Sequence, residues 1–108
     1  MEYVCPRLVP RYSFCVDIDL TDVLSGIQIR GRTKDVCLFG CSVDTLQPFA
    51  KGTMVRMKLS HGFVCVAALG RVVHARKESG MGIAITKIER EDERIFEDWI
   101  VERMAIRV

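Results

Sequence analysis

The sequence lacks the features that would place it at once among nucleic-acid-binding, metal-binding or disulfide-bonded proteins. Its 16 basic and 14 acidic residues leave a net charge of +2, whereas a protein that wraps a long nucleic acid carries a basic surplus. Its five cysteines form no CxxC pair and are odd in number, which favours free thiols in a reducing compartment. Cys37 and Cys41 lie four residues apart with no second pair of zinc ligands nearby, so we predict no metal site.

Membrane segments, a secretory leader and enzymatic motifs are also missing. The longest apolar stretch, FVCVAALG at 63–70, is far shorter than the roughly 20 residues that cross a bilayer, and it suits a buried strand. There is no glycine-rich phosphate loop, and the two histidines, His61 and His74, lie beside no nucleophile motif. We therefore expect a cytoplasmic protein without membrane insertion, catalytic residues or enzymatic activity.

The sequence does contain enough apolar residues for one packed domain, since 49% of its 108 residues are hydrophobic. Apolar and polar residues alternate with a period of two in six segments separated by turn signals. These predicted strands span 13–22, 27–34, 41–43, 54–59, 63–75 and 81–88. The apolar phase shifts after Asp35, which predicts a bulge or bend at 34–36.

The last segment has a helical period and predicts a helix from about 90 to 103, with an acidic first turn that complements the helix dipole. Trp99 lies on its apolar face and is expected to pack the helix against the strands. Six short strands followed by one helix predict a mainly β protein, a small antiparallel six-stranded β-barrel with a C-terminal α-helix.

Two short motifs combine polar residues with irregular backbone. Arg7 and Arg11 lie in VCPRLVPRYSF (4–14), where two prolines disfavour both regular helix and a central strand. Their spacing alone carries little information, because it recurs twice in and beside the predicted helix. The second motif, DVCLFG from Asp35 to Gly40, lies where the apolar phase shifts.

Together these motifs resemble the PilZ domain family, the bacterial receptor module for cyclic di-GMP. That family has an R-x-x-x-R arm, a D/N-x-S-x-x-G motif some two dozen residues later, a β-barrel and a terminal helix. The resemblance runs from Arg7 through the helix, and SGMGIAI (79–85) is similar to the family's glycine-rich penultimate strand. It implies an arginine-bearing arm at 1–12 and a PilZ-like barrel of the split-barrel type at 13–108. Cys37 stands where the family usually has Ser.

The resemblance implies that Arg7, Arg11, Asp35, Cys37 and Gly40 bind cyclic di-GMP. Arginine suits this ligand because its planar fork binds phosphate oxygens and the O6/N7 edge of guanine. A carboxylate can accept hydrogen bonds from the N–H groups of guanine, and a glycine lets the backbone approach the ligand. A thiol is a weaker partner than a hydroxyl, so Cys in place of Ser is expected to weaken binding by about tenfold at most.

Our main hypothesis is a cyclic di-GMP receptor and adaptor with no other cofactor, in which the ligand draws the arm onto the barrel and changes the surface offered to an unidentified protein effector. The short sequence ahead of Arg7 predicts a stand-alone adaptor.

Two alternatives remain open. A degenerate PilZ domain could bind no nucleotide and act as a protein-interaction module; Cys37 favours this reading, and the arginine pair opposes it. A barrel that binds single-stranded nucleic acid could use the basic face of Arg30, Arg32 and Lys34, although the sequence lacks the interleaved aromatic residues of such platforms.

Overall fold

The computed structural model describes residues 12–106, and the side chains of residues 12–102. This part of the chain forms seven strands and one helix. The strands are β1 (Tyr12–Ser13), β2 (Asp17–Asp22), β3 (Gln28–Cys37), β4 (Gly40–Asp44), β5 (Met54–His61), β6 (Val64–Arg76) and β7 (Gly80–Ile88), and the helix is α1 (Arg90–Ile106).

Six of these strands close into an antiparallel barrel. Their order around the barrel is β3-β2-β5-β6-β7-β4, and β4 pairs with β3 to complete the circle. The short β1 pairs with β3 along the same edge as β2. The predicted six-stranded barrel with one C-terminal helix is therefore confirmed.

The core consists of the side chains that alternate into the barrel. Five of them have no exposed area, one from each of five strands: Leu20, Val36, Val55, Val72 and Ile83. Burial of one such side chain contributes about 1.5–3 kcal/mol, so the alternation seen in the sequence accounts for much of the stability of the barrel.

The helix α1 packs on the barrel through an aromatic cluster. The ring of Trp99 lies 5.9 Å from Phe14 and 5.7 Å from His61, in both cases edge to face. Phe96, one turn earlier, is also buried and lies 6.4 Å from Trp99. The predicted packing role of Trp99 is confirmed.

The strand predicted at 13–22 is interrupted at 14–16, between β1 and β2. The buried side chain of Thr33 explains the interruption, because its Oγ1 donates to the carbonyl of Phe14 at 2.6 Å and accepts from the N–H of Val16 at 2.9 Å. A side chain thus replaces strand-to-strand hydrogen bonds where the chain bends. Alternation cannot reveal this bend, because the apolar period continues through it.

Two further comparisons concern particular residues. The bulge predicted at 34–36 is confirmed by a register shift between Thr33 and Asp35 in the pairing of β3 with β4. The prediction that 63–70 is a buried strand is correct only in part, since Val66 is buried whereas Phe63 is fully exposed and Val64 is 43% exposed. Phe63 lies in the turn between β5 and β6, and β7 pairs with β6 only from Ala68 onward, so the start of β6 extends beyond β7.

Candidate ligand-binding site

A cavity of about 500 Å³ opens on the outer face of the barrel, where β3, β4, β7 and β6 lie side by side. The strand register aligns Asp35, Ser42, Gly82 and His74 in one row across these four strands. A second row contains Asp44, Gly80 and Arg76. Polar side chains therefore lie on both sides of the cavity, with Gly80 between them.

Gly80 and Gly82 let neighbouring groups approach the middle of this surface closely. A Cβ atom on Gly82 would collide with the imidazole of His74, whose Cδ2 would lie 2.7 Å away. A Cβ atom on Gly80 would collide with the carbonyl oxygen of Val43. Because the imidazole of His74 covers the buried Gly82, the open part of the cavity lies beside Gly80 and the exposed side chains of Asp44 and Arg76.

Asp35 lies at the edge of the cavity, directly after the bulge in β3. Its Oδ1 atom is buried and has no hydrogen-bond partner among the described residues. A buried polar atom without a partner costs about 1–3 kcal/mol, so this oxygen is suited to accept a hydrogen bond from a group that arrives from outside.

Two positively charged side chains line the same cavity as this oxygen. Lys34 and Arg76 line the cavity and are exposed, and neither takes part in the two ion pairs found within residues 12–102. Asp44 lies in the same cavity and is exposed. A ligand that carries both anionic groups and hydrogen-bond donors would complement this combination of charges.

The structure brings the root of the N-terminal arm to this surface. Ser13 pairs with Asp35 and Tyr12 pairs with Val36, so the residues that follow the arginine motif are fixed beside the second motif. Arg7 and Arg11 themselves lie outside the described residues. Asp35 follows Arg11 by 24 positions in the sequence. The pairing of β1 with β3 nevertheless places Tyr12, the residue after Arg11, on the strand beside Asp35.

Cys37 and Gly40 occupy the base of the β3–β4 turn. The Cys37 side chain is fully buried beside Val73, and its Sγ accepts from the N–H of Phe39 at 3.4 Å. Gly40 is buried, and a Cβ atom there would collide with the carbonyl oxygen of Ile83. Both residues thus fix the shape of the turn through their close packing against the neighbouring strands β6 and β7.

Burial also determines the reactivity of the neighbouring Cys41 thiol. Loss of solvation, reinforced by the charges of Asp35 and Cys37, raises the pKa of Cys41 to about 12. The thiol is therefore protonated and unreactive at neutral pH. No group of three or more His, Cys, Asp or Glu side chains within the described ranges could hold a metal ion.

The basic face that the nucleic-acid alternative needs is partly neutralised. Arg30 forms an ion pair with Asp19 at 3.2 Å, and Arg32 forms one with Asp17 at 3.6 Å. The two aspartates lie directly opposite these arginines on β2, which leaves Lys34 as the exposed cation of that strand without an ion pair. No helix within the described residues is long and apolar enough to span a membrane.

Sequence reasoning missed several residues of the cavity, namely Ser42, Asp44, His74, Arg76 and Gly80. One signal was available, because the two glycines Gly80 and Gly82, two positions apart in a strand, indicate that other groups approach one face closely. The positions of His74 and Arg76 opposite these glycines depend on the register between β6 and β7.

Comparisons with known proteins agree with this fold. A family model described as PilZ domain matches residues 6–102. Among solved structures, the chain is similar to the inhibitor of motility MotI/DgrA of Bacillus subtilis, with a TM-score of 0.78 and 13% identity, over 94% of this chain and 53% of that one. The chain therefore spans about half the length of that protein.

Two further structures are similar over nearly their whole length. The PilZ domain of CeSA from a cellulose-synthesizing bacterium gives a TM-score of 0.67 and 16% identity, over 92% of this chain and 99% of that one. The PilZ domain of YcgR from Escherichia coli, solved with c-di-GMP, gives a TM-score of 0.71 and 14% identity, over 94% of this chain and 93% of that one. At these identities the likeness shows the fold. No curated protein sequence matches the chain significantly.

Proposed function

The chain belongs to the PilZ domain family, and we propose that it binds cyclic di-GMP and acts as an adaptor without enzymatic activity. The proposed ligand is a bacterial second messenger, so the proposed place of action is the cytoplasm. Binding by the similar PilZ domain of YcgR, which was solved with c-di-GMP, supports the choice of nucleotide.

The observation that carries this proposal is the buried Oδ1 of Asp35, which has no partner in the described part of the chain. A guanine presents N–H donors that such a carboxylate oxygen can accept. The cavity of about 500 Å³ has room for a base, and Lys34 and Arg76 offer positive charge to the phosphates.

The proposed clamp has two sides. Arg7 and Arg11 bind from the arm, whose root β1 is held beside Asp35, and they contact phosphate or guanine through their planar guanidinium groups. Asp35 and Gly40 contribute from the barrel. We assign Cys37 a positioning role, because its buried Sγ accepts a hydrogen bond from the N–H of Phe39 and thereby supports the turn.

Calorimetric titration with cyclic di-GMP tests the proposal. We expect binding by the wild type and a loss of affinity of about tenfold or more in Arg11→Ala, because a charged hydrogen bond contributes about 1.5–3 kcal/mol. Arg94→Ala, an exposed arginine of α1, is the matched control and should bind like the wild type. No binding by the wild type at about 100 μM nucleotide would exclude the proposal.

The second candidate is a PilZ domain that binds no nucleotide and acts through protein contacts alone. The presence of Cys37 in place of the usual Ser is the observation that favours it. Titration of Cys37→Ser separates the two functions. A nucleotide receptor binds cyclic di-GMP in both forms, with a change of less than about threefold if residue 37 acts by positioning. A pure interaction module binds it in neither form.

A further inference from the structure

A second surface of the barrel carries apolar side chains that the proposed nucleotide site does not use. Leu38 and Phe39 form the turn between β3 and β4, and they are 46% and 48% exposed. They line a groove of about 210 Å³ together with Ile85 and Phe96, and two glutamates of α1, Glu93 and Glu97, complete its wall. We call this surface the turn–helix groove.

The exposure of Leu38 and Phe39 is imposed by a fixed backbone. The carbonyl of Phe39 accepts from the N–H of Ile85 at 2.8 Å, and its N–H donates to Cys37 Sγ at 3.4 Å. The turn is therefore tied on both sides, and the two apolar side chains cannot fold into the core without breaking these bonds. Large apolar residues held at a surface in this way are typical of an interaction site.

The charges beside the groove indicate what kind of partner it accepts. Glu89, Glu93 and Glu97 are exposed and four residues apart, so they form one stripe that starts at the residue before α1 and continues along the helix. None of them takes part in an ion pair or side-chain hydrogen bond within the described region of the chain. Like charges at this spacing destabilise a helix slightly, and a partner with positive charges would remove that cost.

The size of the groove excludes several other occupants. At about 210 Å³ it is smaller than the usual cavity for a small molecule, and it fits an anchoring apolar side chain from a protein. The carboxylates disfavour an anionic lipid surface or a nucleic acid, because both carry negative charge.

We propose that the turn–helix groove is the docking site for a basic amphipathic segment of a partner protein. An apolar side chain of that segment lies between Phe39 and Phe96, and its lysines or arginines contact Glu93 and Glu97. The proposal names the output surface of the adaptor, but binding at the groove does not itself require the nucleotide.

A synthetic amphipathic peptide of leucines and lysines is a suitable probe, with the same peptide carrying glutamates in place of lysines as its control. We expect the basic peptide to bind and to shift the amide resonances of Leu38, Phe39 and the first half of α1 in NMR spectra of the labelled protein. Phe39→Ala should weaken binding by about tenfold or more, since an aromatic anchor usually dominates such an interface.

Matched charge variants separate docking from general attraction. Glu93→Gln combined with Glu97→Gln should weaken peptide binding by about three- to tenfold. The control combines Glu91→Gln with Glu102→Gln, which removes the same charge from exposed positions on the other side of the helix and should leave binding unchanged.

Three results would overturn the proposal. The first is no binding of the basic peptide at about 1 mM. The second is an equal loss in both charge variants, which would indicate nonspecific attraction. The third is concentration-dependent self-association that Phe39→Ala abolishes, because the occupant would then be a second copy of the chain. Peptide binding without cyclic di-GMP binding would refute the proposed receptor function and leave the groove assignment intact.

Discussion

Replacement of Asp35 by alanine should change ligand binding and stability in different ways. Its Oδ1 atom is buried without a hydrogen-bond partner among the described side chains and backbone, so in the free protein it lowers stability. In the proposed complex the same atom accepts a charge-assisted hydrogen bond from guanine. A residue that only supports the fold would stabilise the free protein through its contacts.

The expected magnitudes follow from these two situations. Loss of a hydrogen bond to a charged group costs about 1.5–3 kcal/mol, so Asp35→Ala should weaken cyclic di-GMP binding by about 10- to 150-fold. Removal of the unpartnered oxygen recovers about 1–3 kcal/mol of desolvation cost, which the loss of side-chain packing partly cancels. The free energy of unfolding should therefore equal that of the wild type within about 1 kcal/mol, or exceed it.

Two measurements on the same preparations check this prediction, calorimetric titration for affinity and urea denaturation for stability. Asp98→Ala is the control, because Asp98 is an exposed carboxylate of α1 that lies outside the cavity. It should change affinity by less than about threefold and stability by about 0.5 kcal/mol or less. If Asp35→Ala lost more than about 2 kcal/mol of stability and bound the nucleotide normally, Asp35 would be a structural residue and our reasoning would be wrong.

Four other predictions concern the supports of the site and the cysteines. Thr33→Val should lower the free energy of unfolding by about 2–4 kcal/mol, because it leaves the Phe14 carbonyl and the Val16 N–H without their hydrogen bonds to Oγ1. Thr33→Ser keeps both hydrogen bonds and should lose less stability. Equal losses in urea denaturation would contradict this prediction. Gly82→Ala should displace the His74 ring and weaken cyclic di-GMP binding by about tenfold, and an unchanged affinity in calorimetry would place the ligand elsewhere. In the folded protein at neutral pH, iodoacetamide should modify the exposed Cys15 and Cys65 but not Cys41, as mass spectrometry would show. Since burial raises the Cys41 pKa from 9.0 to about 12, its contribution to stability is complete below pH 9 and declines as the pH rises toward 12. Denaturation of wild type and Cys41→Ala across this range should show a steeper decline in the wild type.

The sequence alone was sufficient for the barrel, its terminal helix and the bulge before Asp35, because each leaves a periodic or phase signal along the chain. It was not sufficient for the break between β1 and β2. Thr33 stabilises that break from another strand, and alternation reports only which face a residue occupies. The exposure of Val64 escaped prediction for a similar reason, since it depends on where β7 starts to pair with β6.

The candidate site likewise contains residues that the sequence could indicate and residues that it could not. Asp35 and Gly40 could be chosen from a motif within one segment, whereas His74 and Arg76 reach the cavity only through the pairing of β6 with β7. The ion pairs of Arg30 and Arg32 also depend on cross-strand register. This is why the sequence suggested a basic face on β3, although two of its three cations form ion pairs with aspartates of β2. Properties that arise between strands require the structure.

The segment from Asp35 to Gly40 connects the two proposed surfaces. Asp35 lines the nucleotide cavity, Leu38 and Phe39 line the turn–helix groove, and the buried Cys37 hydrogen-bonds to the backbone between them. A ligand that pulls on Asp35 therefore acts on a short, tied turn rather than on a flexible loop. If nucleotide binding changes the affinity of the groove for a basic segment by some factor, thermodynamic linkage requires that segment to change nucleotide affinity by the same factor. In both proposals, the buried Cys37 supports the turn that joins the nucleotide cavity to the groove.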